Sequence, residues 1–291
     1  MKKIITGAVS VFFYCNFFIA ACAASLVYET IHLLHSVSGN HWFPILVFFC
    51  TLNIYTFHYY LKSLKPNDDP RLQWYRKYKT AVLLLLVAVS SIIAYLIVTH
   101  FNIIFNKENI VWSLLIPFLS IAYSFPFLSG GRSLRHFGWL KLPLLSFVWS
   151  FTTVLLPAFF FTAEKIQPQV WMLFANRFFF IMALCVLFNV RDYEEDKNDG
   201  VITPVVAFGT NNILVYGKWL IVVLNLITAL LVCRYFNLDS GFQYFAVLAP
   251  VLLLFLLFHY FRFSRNEIEF LVLHDGLMPV KALLLIFATY I

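Results

Sequence analysis

The chain has 291 residues, of which 62% are hydrophobic and 19% aromatic, and its 21 basic and 14 acidic side chains make up only 12%. Average soluble domains carry about 25% charged and about 45–50% apolar residues, so a soluble enzyme, a disordered regulator and a secreted disulfide scaffold are excluded. A polytopic membrane protein remains, and its formal charge of +7 then points to anionic lipid or an anionic ligand rather than to nucleic acid.

A membrane helix needs about 20 apolar residues to cross about 30 Å of hydrocarbon. Runs of that length recur at about 8–27, 42–61, 80–99, 110–128, 142–162, 170–190, 213–233, 242–261 and 271–290. The expectation is an all-α bundle of nine spans, with 1–291 as a single transmembrane domain and short connections. The first run follows Lys2 and Lys3 as a signal peptide would, but it outruns the usual apolar core of about 7–15 residues. Orientation follows from lysine and arginine, which concentrate on the cytosolic side. The N-terminus and the even-numbered connections hold Lys2, Lys3, Lys62, Lys65, Arg71, Arg76, Lys77, Lys79, Arg132, Arg135, Lys141, Arg191, Lys197, Lys218, Arg262 and Arg265. The odd-numbered ones hold only Lys107, Lys165 and Arg234. This predicts a cytosolic N-terminus in an integral, multi-pass protein, residing in the cell membrane if the source is bacterial. The five cysteines, Cys15, Cys22, Cys50, Cys185 and Cys233, lie in or beside apolar runs without a CxxC pair, and read as small buried hydrophobes.

Taken in chain order, the polar residues within spans begin with Asn53 and His58. Five positions separate them by roughly 140° around a helix, so at most one points squarely into a central cavity, and a histidine there also suits a hydrogen bond to a neighbouring helix. Lys62, Lys65, Arg71, Arg76, Lys77 and Lys79 follow, as topology determinants or as anion ligands, with Asp68 and Asp69 between the turn-forming Pro66 and Pro70. Arg177 and Lys281 lie inside apolar runs, where a charge at mid-depth costs at least about 2.5–3.5 kcal/mol. Arg177 is expected to pair with an acid or to snorkel outward.

The densest polar segment ends span six: Asn189-Val-Arg-Asp-Tyr-Glu-Glu-Asp-Lys-Asn-Asp-Gly-Val-Ile-Thr-Pro. If the helix continues, Asn189, Asp192, Asp196 and Asp199 fall in one stripe roughly 80° wide. Stacked carboxylates repel one another. Two readings stand on spacing alone: a solvated charged loop, or oxygen ligands for Mg²⁺ bound together with a substrate phosphate.

Arg191-Asp-Tyr-Glu-Glu-Asp-Lys-Asn-Asp-Gly-Val-Ile-Thr-Pro-Val, with Gly209 beyond it, closely resembles the second aspartate motif of the UbiA superfamily of intramembrane prenyltransferases. Ala122-Tyr-Ser-Phe-Pro-Phe-Leu is similar to the family's Y-S-x-P-P segment, with Phe127 in place of the second proline. Asp275-Gly-Leu is a fainter likeness. The resemblance implies a nine-helix bundle and transfer of an isoprenyl group from a prenyl diphosphate to an aromatic, quinone-type or lipid acceptor. It casts Asp192 and Asp196 as the catalytic, Mg²⁺-coordinating pair, with Asn189 and Asp199 completing the metal set. Asn53, Arg71, Lys77, Arg132, Lys141 and Arg191 become diphosphate ligands.

The family's other motif, N-D-x-x-D-x-x-x-D, is degenerate. Asn53 aligns with its asparagine, but Ile54, Phe57 and Leu61 stand at the aspartates. Asp68 and Asp69 come two helical turns or more too late. Ionising an allylic diphosphate requires stabilising the charge that develops on the leaving group, so basic residues would have to replace one of two metal ions. The alternative is a re-purposed member that binds an isoprenoid or polar lipid without transferring it. Some of the 34 phenylalanines and 15 tyrosines would line the prenyl tunnel.

Overall fold

The computed structural model describes residues 11–35, 41–65, 69–124, 137–161, 167–261 and 271–290. These residues are helical, with no strand among them. We number the helices α1 Phe17–Leu33, α2 Trp42–Ser63, α3 Pro70–Lys77, α4 Lys79–Thr99 and α5 Ile110–Ser124. There follow α6 Gly138–Phe161, α7 Pro168–Arg191, α8 Tyr193–Asn198, α9 Pro204–Phe208, α10 Thr210–Tyr235, α11 Gly241–Tyr260 and α12 Leu271–Ala288. Seven of them, α2, α4, α6, α7, α10, α11 and α12, are long and apolar enough to cross a membrane. The first and fourth expected spans correspond to the shorter apolar helices α1 and α5.

The first span is displaced from the expected 8–27 because Asn16 interrupts it in a left-handed conformation, φ 65°. Asparagine tolerates that region because its short amide finds local partners. Here the amide Nδ2 donates to Thr56 Oγ1 (3.2 Å) on α2 and to Tyr75 Oη (3.0 Å) on α3. Arg71 Nη2 donates back to Asn16 Oδ1, so the break is stitched to two other helices.

Consecutive long helices pack side by side: α1 on α2, α2 on α4, α6 on α7, α7 on α10, α10 on α11 and α11 on α12. Helix α12 returns to α1. Asn109 Nδ2 and Ser113 Oγ donate to the carbonyls of Ile103 and Ile104, tying α5 to the turn after α4. At one end of the bundle Trp42 stacks on His100 (4.1 Å) and Phe43 meets Phe160 edge-on (5.2 Å). The charged loops gather at the other end.

Two local devices shape α6. Pro157 lacks an N–H, and the turn before it, Phe151–Leu155, widens to a π-turn. Such turns absorb a carbonyl that a proline leaves unpaired, and this one carries Thr152 and Thr153 on a cavity wall. Gly138, at the start of α6, lies against the backbone of Ile202 and Thr203, where a Cβ would sit 2.1 Å from the Ile202 carbonyl oxygen. Glycine alone allows α6 to begin there, pressed on the acidic connection that follows α7.

Candidate functional site

The helices enclose a cavity of about 730 Å³ between α2, α4, α5, α6 and α7. Its lining runs along α2 from Phe43 to Lys62, about 28 Å at 1.5 Å rise per residue. The body is apolar: Phe43, Leu46, Val47, Ile93, Ile97, Ile116, Val148, Leu156 and Phe160. One end is charged, with Lys62, Asp69, Arg71, Lys141, Arg191, Asp192, Glu195, Asp196 and Asp199 on its wall. A long apolar slot ending in charge suits an amphipathic ligand with an anionic head.

Helix α7 ends at Arg191, Asp192 caps it (φ −86°, ψ 11°), and α8 resumes at once, with Asp196 N–H donating to Asp192 O at 2.9 Å. The expected stripe survives this break, and Asn189, Asp192, Asp196 and Asp199 all line the cavity. Each of three acids meets a cation. Lys141 Nζ lies 2.6 and 2.7 Å from the two Asp196 carboxylate oxygens. Arg191 Nε donates to Asp192 Oδ1 at 2.8 Å, and Lys62 Nζ reaches from α2 to Glu195 Oε1 at 2.8 Å. Burial pushes the Asp196 carboxyl above its ordinary value, with Lys141 pulling it back in part.

The other residues singled out from the sequence are dispersed. Arg71 lines the cavity, but its guanidinium donates to Phe13 O, Tyr14 O and Asn16 Oδ1 and lies 3.6 Å from the centre of the Tyr59 ring. Its Nε is buried and makes no hydrogen bond among the described residues. Asn53 lies off the cavity wall, donating to Ser90 Oγ on α4 at 2.7 Å. Lys77 is exposed beside Tyr78. Asp69 caps α3 by accepting from Arg71 N–H, so the acid expected in a turn is a helix cap on the cavity rim. Arg132, Arg135, Asp68 and Phe127 lie outside the described residues. On α2 the wall carries Thr51, Ile54, Tyr55, His58, Tyr59 and Lys62; of the four aligned motif positions, Ile54 alone is among them. A polar repeat at 55, 58 and 62 was readable in the sequence, but the alignment through Asn53 drew attention one residue away.

Away from the loop, Glu29 on α1 is fully buried between Arg177 Nη2 (2.8 Å) and Lys281 Nζ. Arg177 therefore pairs with an acid rather than snorkelling, and its Nη1 also donates to Leu26 O and Thr153 Oγ1. Asp275 Oδ1 lies 2.9 Å from His274 Nδ1, and the other ring nitrogen of His274 meets Leu184 O at 2.8 Å; His274 braces α12 against α7, and Asp275 is absent from the cavity wall. All five cysteines are free thiols, four of them buried and Cys50 partly so.

Among the described residues no three His, Cys, Asp or Glu side chains are gathered closely enough to hold a metal ion by themselves. The donor set nonetheless fits a hard cation shared with a phosphate. Asn189 Nδ2 donates to Cys185 O, while its buried Oδ1 makes no hydrogen bond among the described residues. An orphaned carbonyl oxygen is costly unless something fills its acceptor, and Asn189 is one of the residues that line the cavity with Asp192 and Asp196.

A model of the UbiA prenyltransferase family matches residues 76–269, and the chain belongs to that family. With its long apolar helices, it is an integral, multi-pass membrane protein. The 4-hydroxybenzoate octaprenyltransferase of Neisseria meningitidis serogroup B (strain ATCC BAA-335 / MC58) is 28% identical over 130 residues. That alignment covers 45% of this chain and 39% of the relative, so the chain spans well under half of that protein's length. No solved structure matches the chain.

Proposed function

We propose that this protein transfers an isoprenyl group from a prenyl diphosphate to a lipophilic acceptor of the aromatic or quinone type. The observation that carries this reading is a cavity that joins an apolar slot to a charged end. The prenyl chain lies in the slot, against Phe43, Ile97, Leu156 and Phe160, and the diphosphate lies at the charged end. Asp192, Asp196 and Asn189, with Asp199 beyond them, would hold Mg²⁺ jointly with the diphosphate, and the bound ion would neutralise charge on the leaving group. Lys141 and Arg191, now paired with the two carboxylates, turn toward phosphate oxygens as the ligand enters. Apolar walls exclude water from the allylic centre, so the acceptor outcompetes hydrolysis. The bundle crosses the bilayer nine times, α1 and α5 included, with a cytosolic N-terminus and the charged end facing the cytosol.

The test is incubation of the purified full chain with labelled prenyl diphosphates, Mg²⁺ and aromatic acceptors. Pyrophosphate release that is abolished in Asp192→Asn and Asp196→Asn supports transfer. Tight, saturable binding of the diphosphate with no release, in the presence of acceptors, would replace it with the binding-only reading.

A further inference from the structure

We propose that the α2 wall of the cavity binds the diphosphate directly through hydrogen-bond donors, so that the site works with one divalent cation rather than two. This rests on the diphosphate reading above. Thr51, Tyr55, His58 and Lys62 all line the cavity, and at 100° per residue they fall within about 60° of arc. Tyr55, His58 and Lys62 repeat the 3, 4 spacing of the degenerate aspartate motif, shifted by one residue. The shift has a physical cause. Leu52, Thr56 and Ser63 are buried, with Thr56 Oγ1 donating to Cys15 O, and this fixes the rotation of α2 so that Phe57 and Leu61 stay off the cavity wall.

The two walls at the charged end differ in chemistry. The α7–α8 wall offers the oxygens of Asn189, Asp192 and Asp196, which meet a phosphate only through a cation, with the Arg191 guanidinium as its one cation. The α2 wall has no carboxylate among its cavity-lining residues. Its groups are a phenol, an imidazole and an ammonium, which donate to phosphate oxygens without any ion. Lys62 also shows its reach: it already spans the cavity mouth to Glu195 on α8, the distance a bridging anion would occupy. Glu195 holds it there in the absence of ligand, and a diphosphate is the stronger acceptor.

The experiment is titration of the detergent-solubilised full chain with a prenyl methylenebisphosphonate, and counting of bound Mn²⁺ by electron paramagnetic resonance at saturation. The expected count is one Mn²⁺ per chain; two would overturn the inference. Lys62→Met and His58→Phe should each weaken bisphosphonate binding about tenfold or more, the scale of a lost charge-assisted hydrogen bond, with the Mn²⁺ count unchanged. Lys62→Arg should restore most of the affinity. Glu195→Gln separates ligand binding from a structural ion pair: it leaves affinity equal or tighter if Lys62 serves the ligand, whereas weakening equal to that of Lys62→Met overturns the inference. Normal binding in the Lys62 and His58 variants, with loss in Asp192→Asn, overturns it and leaves the diphosphate reading standing. No binding by the unaltered protein overturns both.

Discussion

Glu29 stands between two cations, Arg177 and Lys281, and all three are buried. The cluster therefore carries one more positive than negative charge, and the two possible deletions are unequal. Lys281→Met leaves a balanced Glu29–Arg177 pair. Glu29→Leu strands two cations inside the bundle, and breaking a buried ion pair by removing one partner costs about 3–5 kcal/mol. Glu29→Leu should be much the less stable variant in thermal unfolding of the detergent-solubilised protein, and equal losses would show that the charge balance is irrelevant. A second prediction concerns Asp196, whose carboxyl burial raises above the ordinary value. The folded chain then keeps this proton to higher pH than the unfolded chain, so ionising it lowers stability as pH rises between the two values. If Asp196 holds the cation as proposed, its ionised form is the active one, and kcat/KM should fall on acidification at a higher pH than an unburied aspartate would set. Lys141 is the group that pulls this carboxyl down. In Lys141→Met the acid limb of the pH–rate profile should move further up, and a limb that stays in place would remove Asp196 from the site's titration.

At the scale of elements, apolar runs located the long helices well, because lipid demands the same length and composition everywhere. The acidic stripe was also legible, since α8 continues α7 nearly in phase. The rest depends on contacts distant in sequence. The break at Asn16 is set by Thr56, Arg71 and Tyr75, none of them near it in the chain. The partner of Arg177 lies on α1. The cavity-facing register of α2 depends on its opposite, buried face, so of the positions aligned through Asn53 only Ile54 reaches the cavity wall. The start of α6 gives a direct test. A methyl group at Gly138 would collide with the Ile202 carbonyl, forcing α6 away from the loop and drawing Lys141 off Asp196. Overpacking of this kind typically costs about 1–3 kcal/mol. Gly138→Ala should be destabilised and should lose activity beyond what its stability explains, whereas a variant of wild-type stability and activity would show that the close approach is not kept.

For the whole molecule, the arrangement of helix ends makes the topology testable. Lys62 on α2 meets Glu195 on α8, and Lys141 on α6 meets Asp196, so these loops share one face of the bundle. Trp42 with His100 and His32 with Tyr290 mark the other. Basic residues crowd the first face and are sparse at the second, the asymmetry expected between cytosolic and outer loops. The proposed nine-crossing arrangement has α1 and α5 cross the bilayer even though each is shorter than the other spans. Single cysteines introduced at Lys65 and Asp199, both exposed, should be labelled by an impermeant thiol reagent only when the cytosolic face is opened. Cysteines at Lys107 and Asp239, exposed at the connections leading to α5 and α11, should be labelled from outside in intact cells. If either helix failed to cross, the alternation would slip and the sites after it would change sides. Labelling of Lys107→Cys and Asp199→Cys from the same side would therefore defeat the nine-crossing arrangement, and with it the placement of the charged end of the cavity in the cytosol.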